Sequence, residues 1–290
     1  MRRAGGKWLC AGLIIAPLIA AGLALPGAAS AATLDLITKE KAIRLAYRDD
    51  APPFSYTKDG KQTGYMLDLC RAVVTELAAQ LHVPSLNITY VPVTAANRFE
   101  AITGGKADLL CEATSATLSR REIVDFSIPT FVDGASLMVR SDGPASVPGL
   151  AGQKLGVLAG TTTETAAKEF LKGAGVNATI VPVKTHDEGL AALDGGTVSA
   201  YFADRSILLF LAQDSKARDK LRLAEQYLTI EPYALALPHG DEAFRLAVDR
   251  ALSHIYRTEA VEKIFANTFN GKVKPSEILQ TLYAVSGLPD

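Results

Sequence analysis

The residues with the clearest chemical capacity lie in Cys111–Ser127, where the small hydroxyl side chains Thr114, Ser115, Thr117 and Ser119 lead into Arg120. A guanidinium is a planar fork that grips both oxygens of a carboxylate, and hydroxyls and backbone N–H groups add neutral donors. Such a loop can hold a carboxylate; taken alone, it is equally a polar loop with a surface arginine. A second cluster, Gly160-Thr161-Thr162-Thr163, reads as a strand–turn–helix junction. Unpaired N–H groups and the helix dipole favour an anion there. The alternative is a plain N-cap, which needs one threonine and not three. Asp204 ends an apolar run and is either a ligand carboxylate or a cap for a helix that starts near Ser206.

These groups need elements to position them. The spacing predicts strands at Ala42–Tyr47, Ile88–Val93, Ala107–Leu110, Ala135–Arg140, Lys154–Leu158, Ala178–Val183 and Ser199–Ala203. It predicts helices over Leu67–Leu81, Asn97–Thr103, Thr165–Gly173, Glu188–Leu193, from about Ser206, and through most of Asp241–Phe269. The prolines of Ala51–Tyr56 forbid helix and imply an extended segment. Asp59-Gly60 marks a turn. The alternation βαβαβ, twice, is an α/β pattern with largely parallel sheets. Arg48, Arg120, Thr162 and Asp204 then fall just after the C-terminal ends of strands, where open α/β sheets bind ligands.

The N-terminus reads as a leader. Arg2, Arg3 and Lys7 precede an apolar run from Trp8 to about Leu25, and Ala29-Ser30-Ala31 is an A-x-A site, so residues 1–31 are expected to be a signal peptide cleaved after Ala31. An uncleaved membrane anchor is the rival reading. No later segment has the roughly 18 apolar residues of a span. The full chain carries 30 Lys and Arg against 31 Asp and Glu; without Arg2, Arg3 and Lys7 its formal charge is −4. That balance argues against a nucleic-acid partner, which requires a basic footprint. Two cysteines survive, Cys70 on an inward helical stripe and Cys111 at the end of a core strand. In an oxidising compartment they suggest a disulfide, with two buried thiols as the alternative. Nothing in the spacing of Cys and His suggests a metal, and no cofactor is implied.

In this order the pieces resemble the periplasmic amino-acid-binding proteins of ABC importers, solute-binding family 3. Pro53-Phe54-Ser55-Tyr56 with Gly64-Tyr65 is similar to the family's opening pattern, and Thr117-Leu118-Ser119-Arg120 with Val124-Asp125-Phe126-Ser127 resembles its T-x-x-R…vDFS signature. Gly160-Thr161-Thr162 and Tyr201-Phe202-Ala203-Asp204 match the second lobe. The glutamate/aspartate-binding branch is the nearer match: Tyr47-Arg48-Asp49 resembles its H-R-E, Val93–Arg98 its I-T-S-x-N-R, and Asp108–Cys111 its D-x-E-C, while His186 falls where that branch has a ligand-facing histidine.

The resemblance implies a two-lobed periplasmic-binding-protein type II (Venus flytrap) fold with a two-stranded hinge. Lobe 1 is expected at 32–136 and 235–290, lobe 2 at 137–234, with crossings near Asp133–Val139 and Tyr233–Leu237. It implies that Arg120 clamps an α-carboxylate with Ser115, Thr162 and Thr163 nearby, that Asp204 takes the α-ammonium, and that Arg48 and Arg98 hold a side-chain carboxylate with help from His186. Two cations aimed at one region repel unless an anion lies between them, so an acidic ligand fits. The bland alternatives are surface pairing of Arg48 and Arg98 with Asp49 and Glu100, and a loop or capping role for His186. The implied partners are an amino acid and an inner-membrane ABC permease; the implied state is a periplasmic monomer with no catalytic residue. The alternative is an enzyme on the same scaffold, such as a periplasmic cyclohexadienyl dehydratase, for which Glu112 and His186 are the candidate acid–base groups. The chain departs from the branch at Glu112-Ala113-Thr114-Ser115, which replaces G-S-T-T. Ala113 lacks a hydroxyl, and a pocket-facing Glu112 pairs with Arg98 or disfavours an acidic ligand.

Overall fold

Runs rich in Val, Ile and Leu alternate with amphipathic helices along the chain and sort into two sheets. The computed structural model describes Met1 and residues 33–290, except 145, 225, 226, 272 and 290. The expected leader and its cleavage site, Met1 aside, lie outside the described residues.

The first half opens with α1 (Thr33–Glu40) and β1 (Ala42–Tyr47), then a small antiparallel sheet of β2 (Asp50–Ala51), β3 (Ser55–Lys58) and β4 (Lys61–Thr63). The turn between β3 and β4 is Asp59-Gly60, both left-handed with φ of 51° and 74°, as a tight hairpin requires. Next come α2 (Tyr65–Gln80), β5 (Asn87–Pro92), α3 (Arg98–Thr103) and β6 (Leu109–Leu110). A 3-10 turn at Arg120–Glu122 leads to β7 (Val124–Phe126), and β8 (Phe131–Asp133) leaves this half.

The second half holds β9 (Ala135–Arg140), β10 (Lys154–Leu158), α4 (Thr162–Gly173), β11 (Thr179–Val183), α5 (His186–Asp194), β12 (Ala200–Asp204), α6 (Arg205–Asp214) and β13 (Leu221–Leu223). The chain returns through β14 (Glu231–Tyr233), paired antiparallel with β8, and β15 (Ala236–Pro238), which lies antiparallel between β6 and β7. Helices α7 (Glu242–Tyr256), α8 (Ala260–Thr268) and α9 (Glu277–Ser286) finish the chain, with α7 and α8 packed on α2.

The sheet orders are β5-β1-β6-β15-β7 and β11-β10-β12-β9-β13. Each contains a parallel triple, β5-β1-β6 and β11-β10-β12, as a βαβαβ unit requires. Each also takes a reversed strand, β15 in the first and β9 in the second, so both are mixed and less uniformly parallel than the alternation predicts. β9 already belongs to the second sheet and β15 to the first; the two-stranded ribbon that pairs the crossing segments is β8–β14. Aromatic rings brace this ribbon: Phe54 stands edge-on to Phe131 at 4.9 Å and to Tyr233 at 5.3 Å.

Two local features explain sequence signals near the site. Gly64 has φ 123°, and a Cβ there would sit 2.4 Å from the Phe54 carbonyl oxygen. This close approach lets the Pro53 and Phe54 carbonyls accept from the Tyr65 and Met66 N–H groups at the start of α2. The Pro-Phe and Gly-Tyr motifs are thus two sides of one cap. Cys70, on α2, and Cys111, just past β6, form a disulfide with Cα atoms 6.2 Å apart. It anchors the helix to the strand that carries the hydroxyl-rich loop. Around it Leu45, Val73, Leu77 and Leu109 are fully buried, each worth roughly 1.5–3 kcal/mol.

Candidate functional site

One cavity lies between the two sheets, and all eight expected site residues line it: Arg48, Arg98, Ser115, Arg120, Thr162, Thr163, His186 and Asp204. The first four come from the first half of the chain and the rest from the second. The cavity is small, about 20 Å³, close to the space of a single water. The halves touch across it. Ser115 Oγ and Thr162 Oγ1 are 3.2 Å apart, and Arg98 Nη2 donates to the Gly160 carbonyl at 3.4 Å.

Arg48 follows β1 directly. Ser55 fixes its backbone, accepting from Arg48 N at 3.0 Å and donating back to Arg48 O at 2.8 Å. Arg48 is 3% exposed, and its guanidinium donates through Nε and Nη2 to Asp50 Oδ1 at 2.9 and 2.7 Å. Asp50 Oδ2 accepts from the His186 N–H at 3.0 Å, at the N-terminus of α5. Burial raises the Asp50 pKa, but the Arg48 guanidinium and the His186 N–H outweigh it and hold the carboxyl below its ordinary value.

Arg98 opens α3 and is 2% exposed. Its Nη1 donates to the Ala95 carbonyl, and its Nε lies 3.3 Å from Glu112 Oε1 without hydrogen-bond geometry. Burial lowers its pKa to about 10, and the Glu112 carboxylate opposes that fall; the group stays cationic at neutral pH. The Phe99 ring faces both Arg98, at 4.8 Å, and Arg120, at 5.2 Å. Surface pairing of Arg48 with Asp49 and of Arg98 with Glu100 is thereby overturned: both arginines point inward, to Asp50 and Glu112.

Arg120 sits in the 3-10 turn and not at the end of a strand, contrary to the sequence reading. The hydroxyl-rich loop carries it back to the cavity, where Nη1 donates to the Ser115 carbonyl at 2.7 Å. Burial lowers its pKa, while Glu112, Glu231 and Asp204 counteract.

The three threonines divide their work. Thr161 is the N-cap of α4, accepting from Glu164 N at 3.1 Å, while Glu164 reaches back to the Gly160 N–H at 2.9 Å. The plain-cap reading accounts for Thr161 alone. Thr163 donates to Asp204 Oδ1 at 3.0 Å, and Tyr233 donates to Asp204 Oδ2 at 2.6 Å. Asp204 occupies the N-cap position of α6 but makes no side-chain cap. Asp133 supplies it instead, accepting from Ser206 N at 3.1 Å. Asp204 is therefore available to the cavity. Burial pushes the Asp133 and Asp204 carboxyls well above the ordinary aspartate value.

His186 is 4% exposed, with Nδ1 2.9 Å from the Tyr201 hydroxyl. Burial and, after it, the Arg48 charge lower its pKa to about 3, so it faces the cavity as a neutral imidazole. It is the first residue of α5, whose N-cap is Thr185; the capping alternative for His186 does not hold.

Asp50, Phe99, Tyr201 and Tyr233 were not legible as parts of this site. Asp50 lies two residues after Arg48, which was the available signal, but choosing between Asp49 and Asp50 requires the β2 geometry. The other three look like core aromatics, and Tyr201 and Tyr233 are fully buried.

A model of the bacterial extracellular solute-binding proteins, family 3, matches residues 43–271. The L-glutamate/L-aspartate-binding protein of Pseudomonas aeruginosa is 29% identical over 92% of this chain and 87% of its own length. Among solved structures, an ancestral arginine-binding protein bound to glutamine is 26% identical, with a TM-score of 0.70 over 79% of this chain and 98% of its own. An ancestral amino acid-binding protein described as a precursor of cyclohexadienyl dehydratase is 27% identical, with a TM-score of 0.71 over 82% of this chain and all of its own.

Proposed function

Given that the chain belongs to the bacterial extracellular solute-binding proteins, family 3, we propose that it captures an amino acid with a carboxylate side chain in the periplasm and delivers it to an ABC importer. The observation that carries this reading is a cavity lined by three arginines and a buried aspartate, Asp204. Arg120 grips the α-carboxylate, with the Ser115 and Thr162 hydroxyls beside it. Asp204, oriented by Thr163 and Tyr233, takes the α-ammonium. Arg48 and Arg98 face the side-chain carboxylate, and neutral His186 contributes a polar ring nitrogen. The glutamate/aspartate specificity of the Pseudomonas relative supports the ligand class.

On this reading lobe 1 comprises 32–136 and 235–290, lobe 2 comprises 137–234, and the β8–β14 ribbon is the hinge. The mature chain, freed of residues 1–31, acts as a monomer that an inner-membrane permease recognises when closed. Binding without turnover is the favoured chemistry. An acid–base catalyst needs a pKa near the working pH; His186 lies far below it, and Asp204, raised toward it, is engaged by Thr163 and Tyr233. Glu112, the other candidate, is not part of the cavity wall.

A thermal-shift screen of the mature protein over amino acids, dicarboxylates and prephenate tests this, since a ligand raises apparent stability by mass action. Saturable stabilisation by L-glutamate or L-aspartate with no product formed is expected. Preference for lysine or arginine, or consumption of prephenate, would contradict it.

A further inference from the structure

The side-chain end of the cavity holds two cations, Arg48 and Arg98, and behind them a carboxylate that the ligand roles above leave unused. Glu112 is fully buried. One oxygen accepts from Thr114 Oγ1 and lies 3.3 Å from Arg98 Nε; the other lies 3.9 Å from Arg48 Nη1. Arg98 Nε and Glu112 Oε2 are buried atoms without a hydrogen-bond partner among the described residues. The contact is thus one of charge more than of directed hydrogen bonds, and its influence falls on the arginines. Arg48 is already matched by Asp50 at 2.7 Å. Glu112 is the matching charge for Arg98.

Two arginines against Asp50 and Glu112 leave this end of the cavity formally neutral. A ligand carboxylate placed there meets two guanidinium groups, but at short range it also meets the field of the two carboxylates behind them. In a site this dry that field is weakly screened. A carboxamide loses the attraction and escapes the repulsion, and its oxygen can still accept from a guanidinium N–H.

We propose that Glu112 is a specificity-determining residue that acts through Arg98 and Arg48: its charge cancels their excess and opens the cavity to carboxamide side chains as well as carboxylates. This rests on the amino-acid-binding function proposed above and widens its ligand class from glutamate and aspartate to include their amides. Glu112 touches the arginines and not the ligand, so it is a positioning residue. The same position is where the chain departs from the G-S-T-T pattern, one charged residue standing where that pattern has glycine.

The test is calorimetric titration of the mature protein with L-glutamate and L-glutamine, for the wild type and for Glu112→Gln, which keeps the shape and an acceptor for Thr114. The wild type is expected to bind the two within about tenfold of each other. Glu112→Gln is expected to shift the ratio toward glutamate by about tenfold or more, the scale of one close charge in a desolvated site. A merely structural lesion weakens both ligands and leaves their ratio in place. A wild-type preference for glutamate beyond about a hundredfold, or a ratio in the variant unchanged within about twofold, overturns the inference while leaving amino-acid capture intact. Should Glu112→Gln not fold, the wild-type ratio decides alone. A wild type that binds neither amino acid contradicts the function itself, and this inference with it.

Discussion

Asp204 has two demands on it. It must be ionised to hold an ammonium, yet burial raises its pKa and the nearby Glu231 adds to the rise. Tyr233 and Thr163 offset part of this by donating to both its oxygens. The sign of the linkage follows. Below the raised pKa, ligand binding must expel a proton, so affinity climbs as pH rises from the ordinary aspartate range toward neutrality, then levels. The ligand-free fold behaves oppositely. At Asp204 it retains a proton that the unfolded chain has lost, so this residue's contribution to stability declines over the same interval. Titrations at about pH 5 and about pH 8 should therefore show tighter binding at the higher value, roughly tenfold per unit within the window. Equal affinity at both would show Asp204 already ionised at about pH 5, contradicting its raised pKa. The eight expected residues were legible as arginines, threonines, a serine, an aspartate and a histidine of matching chemistry in one order along the chain, and they line one cavity. Glu112 was legible as an anomaly and as a candidate partner of Arg98, but its place behind both arginines, fully buried, was not. Asp50 was invisible, because its role depends on reaching the N-terminus of α5 from a different part of the chain.

At the scale of elements, hydrophobic period fixed which segments are strands and helices, and β1, β9 and β10 coincide with their expected bounds. Helix starts were less legible. α4 begins at Thr162 and α5 at His186, earlier than the apolar pattern suggests, because capping threonines and not core contacts set them. Sheet polarity was less legible still, since β9 and β15 join their sheets through long-range returns that leave no local mark. Helix α5 also depends on a glycine whose reason appears only in three dimensions. A Cβ on Gly189 would lie 2.2 Å from the Tyr201 ring, and that ring is fully buried and cannot swing aside. Tyr201 in turn holds His186. Gly189→Ala is expected to cost roughly 1–3 kcal/mol by overpacking. That corresponds to roughly 2–4 °C of Tm for each kcal/mol in a chain of this size. Ligand affinity should weaken as His186 moves. A variant with unchanged Tm and affinity would show that the helix relaxes freely and that its packing does not position the site.

At the scale of the whole molecule, the halves meet through Asp50 and His186, Ser115 and Thr162, and Arg98 and Gly160. Each pair joins a residue of the first sheet's half to one of the second's, so parting the sheets breaks all three. A cavity with room for about one water cannot admit an amino acid until that happens. Capture is then a shift between open and closed states, driven by contacts that a ligand makes with both halves at once. Arg120 and Asp204 lie on opposite sides of that closure, and this makes them the pair on which the account depends. The direct measurement is calorimetric titration of the mature protein and of Arg120→Ala with L-glutamate near neutral pH. The wild type is expected to bind saturably, one to one. Arg120→Ala is expected to lose roughly 2–5 kcal/mol, about thirtyfold or more in Kd. No heat from the wild type, or an Arg120→Ala variant that binds as tightly, would contradict it.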